Sequence, residues 1–470
     1  MTMHMTSYKA THHRWRDHRG RFRAALSVAT LALLLAGCKE SFLTVNDADN
    51  IDPSSLNDEA GLQARRNGAL GDFVWAYAGG DDNAGTGAQL LISGLMSDEW
   101  MHSGTFTTRA EVELRTVSND NGTLSAVYLF LHQARAALET TAELLEEHSA
   151  DPTGDERISE MLAYAGFTYL AFGENYCSGV PFSKLTSDGQ LELGSPETTE
   201  QVFNRAVARF DAALAHGAIT PDIADMARVG RGRALLNLAQ YDAAAAAVAG
   251  VAADFAKLAE HSENTAAERN SIVQFNQIER RWSVGDNEGI NGLDFRSAND
   301  PRIQWSLSLG DAFDQSFPDF YRFNNYTNRS EPIAFATGIE ARLIEAEAML
   351  QAGNDAGWLA ALNALRANYA TLARIVRGDA SGTLSPLAMP GSAAAREDLQ
   401  FRERAFWLYS TGHRLGDLRR LIRQYGRGAE TVFPTGAYFK GGFYGTDVNL
   451  PIPQEEENNG NFTGCLDRGA

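Results

Sequence analysis

Ile223-Ala-Asp-Met-Ala-Arg-Val-Gly-Arg-Gly-Arg-Ala-Leu-Leu-Asn-Leu-Ala-Gln-Tyr-Asp-Ala-Ala244 is the stretch on which the fold turns. Its apolar residues recur at helical spacing, break near Ala239, and resume after Tyr241. Gly232, Ala234, Ala239 and Ala244 are small where two antiparallel helices must cross, so their backbones can approach closely. A looser copy follows, with Ala346, Ala348 and Gly353 ahead of an apolar run over 355–372. Such hairpins cannot bury their faces alone; stacked side by side they cover one another.

Outward from this stretch, periodicity predicts helices from Asn57 and over 122–148, 156–173, 197–216, 222–239, 241–259, 337–352, 355–372, 394–410 and 414–425. Gly79 to Asn83 reads as a break. The small residues, with Tyr241 and Asp242 at the turn, fit tetratricopeptide-like packing. The expected fold is therefore mostly α, a tetratricopeptide-like scaffold over about 57–260 and 337–425. Residues 270–335 differ, placing Trp282, Trp305, Phe313, Phe317, Phe320, Tyr321, Phe323 and Tyr326 among Gly, Asn and Asp. They read as a loop-rich, ligand-facing subdomain with short strands. The tail over 428–470 is rich in Gly, Pro and aromatics and reads as irregular but ordered.

The N-terminus reads as an address. Six basic residues and Asp17 precede a short apolar run ending in Leu35-Ala36-Gly37-Cys38. This is a secretory signal, too short for a spanning helix of about 20 residues. Its end resembles the bacterial lipobox, so residues 1–37 are expected to be removed and Cys38 lipidated, with 38–56 as a tether. The whole chain carries −19, and loss of the basic leader makes the remainder more acidic still. Such a surface repels phosphate backbones and argues against nucleic acid. Cys177 and Cys465 then form an even pair in an oxidising compartment. A disulfide between them would contribute about 4–5 kcal/mol in the chain-entropy model; the alternative is two free buried thiols. No metal-ligand spacing is present and no cofactor is expected.

Four segments, read in order, resemble the SusD/RagB family of outer-membrane nutrient-binding lipoproteins. They are Tyr169 to Pro181, then Asn299-Asp-Pro-Arg302, then the run from Arg342 through Leu362-Asn363-Ala-Leu-Arg366 to Arg402-Glu-Arg404 and Gly412-His413-Arg414-Leu-Gly-Asp417-Leu-Arg419-Arg420, and last Leu450-Pro-Ile-Pro-Gln454. The cysteine at 177 departs from the commoner family pattern. The resemblance implies a surface lipoprotein that captures an oligosaccharide, or a peptide, as a lid over a SusC-like TonB-dependent outer-membrane transporter. Physics gives the charged residues structural work first. Glu403, Arg404, Arg414, Asp417 and Arg419 should interlock as buried ion pairs, and Asn363 with Arg366 should brace a neighbouring loop.

No catalytic motif is present. Asp98-Glu99 beside Trp100 imitates a glycosidase pair, but adjacent residues on a helix point apart, and such carboxyls must face each other. A glycoside hydrolase and a periplasm-facing assembly scaffold stand as the alternatives. Trp358 and Trp407 fall in helical periods and belong to the core, and Trp75 shares an apolar helical face. Trp100, Trp282 and Trp305, with Tyr321 next, lie in polar segments where a ring can stack on a sugar. Asp98, Asn287, Arg296 and Asn325 are the matching polar candidates. The bland alternative is that these rings cover the scaffold's flank.

Cys38→Ala should release the protein from the membrane fraction. Continued pelleting with outer membranes and uptake of labelled palmitate would contradict the lipobox reading.

Overall fold

Helix α1 (Glu59–Ala78) starts where Asp58 accepts a hydrogen bond from the Gly61 amide at 2.8 Å, and ends at Gly79, whose φ is 74°. Both ends follow from local chemistry, an Asx N-cap and a glycine beyond the last turn. The computed structural model describes residues 57–81, 88–186, 190–377 and 382–470. The signal segment, Cys38 and the tether lie outside them. Among the described residues no helix is long and apolar enough to cross a membrane.

The scaffold is a row of helices: α1, then α4 (Gly122–His148), α5 (Glu156–Asn175), α6 (Thr199–Ala215), α7 (Pro221–Asn237), α8 (Tyr241–Val248), α9 (Gly338–Gln351) and α10 (Asp355–Ala367). Each packs on the next. The fold is mostly α and tetratricopeptide-like. Phe203 and Phe210 on α6 show why small residues are needed. A methyl group added at Gly173 or Gly166 of α5 would come 2.6 Å from these rings, and one at Gly230 of α7 would come 2.3 Å from Phe210. Both rings are fully buried, and burial of each contributes roughly 1.5–3 kcal/mol.

Two expected helices are shorter than their periodicity. The run 241–259 stops at Val248, and Ala256–Ala259 becomes strand β6, antiparallel to β10 (Ile333–Thr337). Alanine-rich sequence favours helix, but strand pairing overrides that preference here. The run 355–372 breaks at Asn368, whose side chain bonds the Ala364 carbonyl at 2.9 Å and competes with the helix. A short α11 (Tyr369–Arg377) follows.

The chain leaves the row after α1, after α5 and after α8. Two C-terminal helices, α12 (Ala393–Trp407) and α13 (Arg414–Tyr425), close over it. Here the charges lie buried. Asp417 binds Arg404 at 2.8 Å and Arg420 at 2.9 Å, and Glu347 binds Arg420 at 2.5 and 3.0 Å. Tyr425 donates to Glu347 at 2.6 Å. Of the five residues expected to interlock, only Arg404 and Asp417 bind each other. Glu403 instead takes Arg302 and Arg366, at 2.8 and 2.6 Å. Arg414 takes Asp98, and Arg419 donates to the Gly173 and Glu174 carbonyls at 2.9 and 2.7 Å. Asn363 and Arg366 do brace a loop, through Leu387 and the Ser385 carbonyl. Cys177 and Cys465 are joined by a disulfide with a Cα–Cα distance of 5.9 Å, tying the tail to the loop after α5.

Glu347→Ala should cost roughly 3–5 kcal/mol in a denaturant titration, because it leaves the buried Arg404 and Arg420 guanidiniums to share the single carboxylate of Asp417. Glu192→Ala, in an exposed pair with Lys184, should leave the midpoint unchanged.

Candidate ligand-binding site in the loop-rich region

The excursions after α1 and α8 pair with each other. Strand β1 (Trp100–His102) lies antiparallel to β7 (Trp282–Val284), and β8 (Trp305–Ser308) pairs with β9 (Phe320–Phe323). Fully buried Asn276 stitches the two pairs together. Its amide donates to the Trp282 carbonyl at 2.5 Å and its oxygen accepts from the Phe323 amide at 2.8 Å. The C-terminal tail joins through Lys440, which binds Asp314 at 2.9 Å and the Gly104 carbonyl at 2.7 Å.

Between these elements opens a 330 Å³ cavity lined by Met101, Ser103, Ser283, Phe317, Tyr321 and Phe439, with exposed Asp319 at its edge. Phe317 and Phe439 meet edge to face with centroids 5.6 Å apart. Tyr321 continues into a second aromatic layer. Trp305 and Tyr321 are diagonal neighbours across the β8–β9 pair, 6.0 Å apart, and both remain half-buried. The Arg296 guanidinium lies 3.3 Å from the Tyr321 ring centroid and 5.8 Å from that of Trp305. The Trp305 indole donates to the Arg296 carbonyl at 3.0 Å. Its N–H is thus engaged. Alongside, Arg281 sits 3.4 Å from the centroid of exposed Phe313 and 4.8 Å from that of exposed Phe106.

The structure brings together Trp305, Tyr321 and Arg296, and sets exposed Asn287 beside them through its hydrogen bond to Ser297 at 3.1 Å. It removes the other four candidates. Trp100 and Trp282 are both 0% exposed. Trp100 packs on Phe323 and Tyr409, and Trp282 lies against His102. Both stand on the paired strands β1 and β7, a pairing that folds two polar segments onto each other and hides the rings between them. Asp98 is buried with Arg414 at 2.6 Å and accepts from the Leu293 amide at 2.9 Å. Asn325 is buried between the Gln304 amide and the Arg302 carbonyl. Glu99 accepts from the Ser410 amide at 2.9 Å. With both carboxyls buried, Asp98 and Glu99 do not face a cleft as a glycosidase pair.

Sequence reading missed Phe439, Phe106 and the serines. The available signal was the tail's alternation of Gly436, Gly441, Gly442 and Gly445 with Tyr438, Phe439, Phe443 and Tyr444. It marks a turn-rich aromatic loop without saying what the loop touches.

Beneath the cavity lies a buried carboxyl pair. Glu113 accepts from the His102 amide at 3.0 Å and from Tyr438 at 2.5 Å, so it holds both β1 and the tail. Burial pushes its pKa from 4.5 up to about 7, against the lowering effect of the Tyr438 hydrogen bond. Glu288 faces it. Burial, then Glu113 and Asp98, push Glu288 well above the usual carboxylate range. Glu288 sits in a tight loop where Asn287 has φ 51° and a methyl group at Gly289 would meet the Thr435 carbonyl at 2.2 Å.

This architecture is that of SusD-like proteins. A SusD-like carbohydrate-binding protein from Bacteroides vulgatus matches at 15% identity, covering 86% of this chain and 97% of its own, with a TM-score of 0.59. Surface glycan-binding protein A from Bacteroides uniformis matches at 13% identity, 87% and 99% coverage and 0.59. A laminarin-binding SusD-like protein matches at 16%, 87% and 99%, and 0.57. No protein-family model matches the sequence, and no curated protein does.

Raised carboxyl pKa values favour the protonated pair in the folded state. Their contribution to stability is therefore complete below the unfolded value of 4.5 and is lost as pH rises through about 7. Thermal melts of Glu288→Gln should fall less steeply between pH 5 and 8 than wild type. An unchanged slope would show that the pair does not titrate in this range.

Proposed function

We propose that this protein is a surface-exposed glycan-binding lipoprotein that captures its ligand without transforming it. The observation that carries the reading is the half-buried Trp305–Tyr321 layer with Arg296 stacked on it, leading into an aromatic-lined cavity. Rings of this kind cover the apolar face of a pyranose, while Arg296, Asn287, Asp319 and the cavity serines bond its hydroxyls. The shared fold with proteins described as carbohydrate-binding or glycan-binding supports the same conclusion. The lipobox supplies the anchor. Captured glycan would be handed to a SusC-like TonB-dependent outer-membrane transporter, over which this protein sits as a lid.

Calorimetry against a panel of neutral oligosaccharides tests the reading. Trp305→Ala and Tyr321→Ala should each weaken binding by about 2 kcal/mol, roughly thirtyfold. Melting temperatures should change little, since neither ring is buried in the core. Unchanged affinity in both variants would move the site elsewhere. Release of shorter sugars by the wild-type protein would favour a hydrolase.

A further inference from the structure

Among the described tryptophans only Trp305 and Trp75 keep part of the indole exposed. Trp305 belongs to the site above. Trp75 projects from α1 into a separate cavity of 550 Å³, between α1, α4, α5 and the segment following β6. No lining residue is shared with the first cavity. Phe130 stands edge-on to the indole, with centroids 5.8 Å apart, and Leu258 and Val74 complete an apolar wall.

Five polar side chains line the same cavity: the carboxylates of Asp72, Glu260 and Glu268, the Gln133 amide and the Tyr164 hydroxyl, with Asp72, Gln133 and Glu260 exposed at its mouth. Glu268 is held by Ser262, and the other four make no hydrogen bond or ion pair with the described residues, so they are free to bond a ligand. At Gly71, on the cavity's edge, an added methyl group would meet nothing within 4 Å, so the backbone leaves room for a ligand.

We propose that the Trp75 cavity is a second glycan site, specific for an uncharged pyranose unit. An indole face with an aromatic edge beside it forms a stacking slot for the ring's C–H face. The two unengaged carboxylates, an amide and a hydroxyl are acceptors and donors suited to sugar hydroxyls. No lysine or arginine lines the cavity. A uronate, sulfate or phosphate group would therefore find no counter-charge and three repelling carboxylates. The volume suits one or two sugar units. Two separate sites on one chain would hold a long polysaccharide more tightly than a short one, because the second contact becomes intramolecular.

This inference rests on the glycan reading, and the test separates the two. The full chain, carrying Cys38→Ala to keep it off the membrane, is labelled with 5-fluorotryptophan. Its ¹⁹F resonances are assigned by Trp75→Phe and Trp305→Phe. Titration uses laminarihexaose, maltohexaose, cellohexaose and xylohexaose, with an oligogalacturonate and a pentalysine peptide as charged probes. At least one neutral hexasaccharide should shift the Trp75 resonance, and should still do so in Tyr321→Ala. Asp72→Asn combined with Gln133→Ala should weaken that shift at least tenfold while leaving the Trp305 response unchanged. A response at Trp305 alone overturns the second site and leaves the first intact. A Trp75 response to pentalysine but to no sugar overturns it in favour of a peptide-docking surface. No response at either indole to any neutral sugar overturns both readings.

Discussion

One helix, α13, sets the geometry of this molecule through charges buried along its length. Arg414 reaches Asp98 in the excursion after α1, Asp417 holds Arg404 on α12, Arg420 grips Glu347 on α9, and Arg419 binds the carbonyl ends of α5. Four separate parts of the chain are thus fixed against one element. Buried ion pairs add little net stability over well-packed apolar residues, because each charge must first leave water. Their effect is exclusion. An arrangement in which any one partner is misplaced strands a charge in the interior, so only one relative placement of these elements is acceptable.

That constraint passes directly to the candidate ligand site. The Asp98 carboxylate pairs with Arg414 and also accepts from the Leu293 amide. It therefore pins the loop that carries Glu288 and leads into Arg296. Glu403 does the same on the other side, holding Arg302 ahead of β8. The aromatic layer of Trp305 and Tyr321 stands on loop backbone, yet the backbone is fixed at both ends by scaffold charges. A binding surface built this way needs little ordering when ligand arrives, which lowers the entropic cost of capture.

The scaffold was legible because helix pairing is a local property. Gly232, Ala234 and Tyr241 mark a close hairpin without reference to anything distant, and most helix limits fell within two residues of the periodic runs. The places where reading failed share a cause. Ala256–Ala259 became a strand because of a partner some 75 residues away, and Trp100 and Trp282 were buried by pairing between segments about 180 residues apart. Polar neighbours in sequence made those tryptophans look exposed, whereas strand pairing supplied apolar neighbours in space. Trp75 failed in the opposite direction: its helical face is apolar, but the neighbouring helices leave a cavity there. Trp305 and Tyr321 keep their sequence-local setting, because the β8–β9 hairpin leaves them half-buried, and Arg296 from the preceding loop stacks on them.

The bond between Cys177 and Cys465 encloses residues 177–465 in a covalent ring, with α1, α4 and α5 outside it on the N-terminal side and five residues beyond it at the C-terminus. Inside that ring lie the hairpin of β3 (Lys184–Leu185) and β4 (Leu191–Glu192), whose leucines are exposed, and the loop-rich region. A protease that nicks any of these loops opens the ring once without dividing the molecule. The two new ends stay attached through sulfur, and the helices between them remain packed. On the proposed cell surface, one cut would therefore leave the proposed anchor and the candidate binding site on the same molecule. Separation would require a second cut or a reductant.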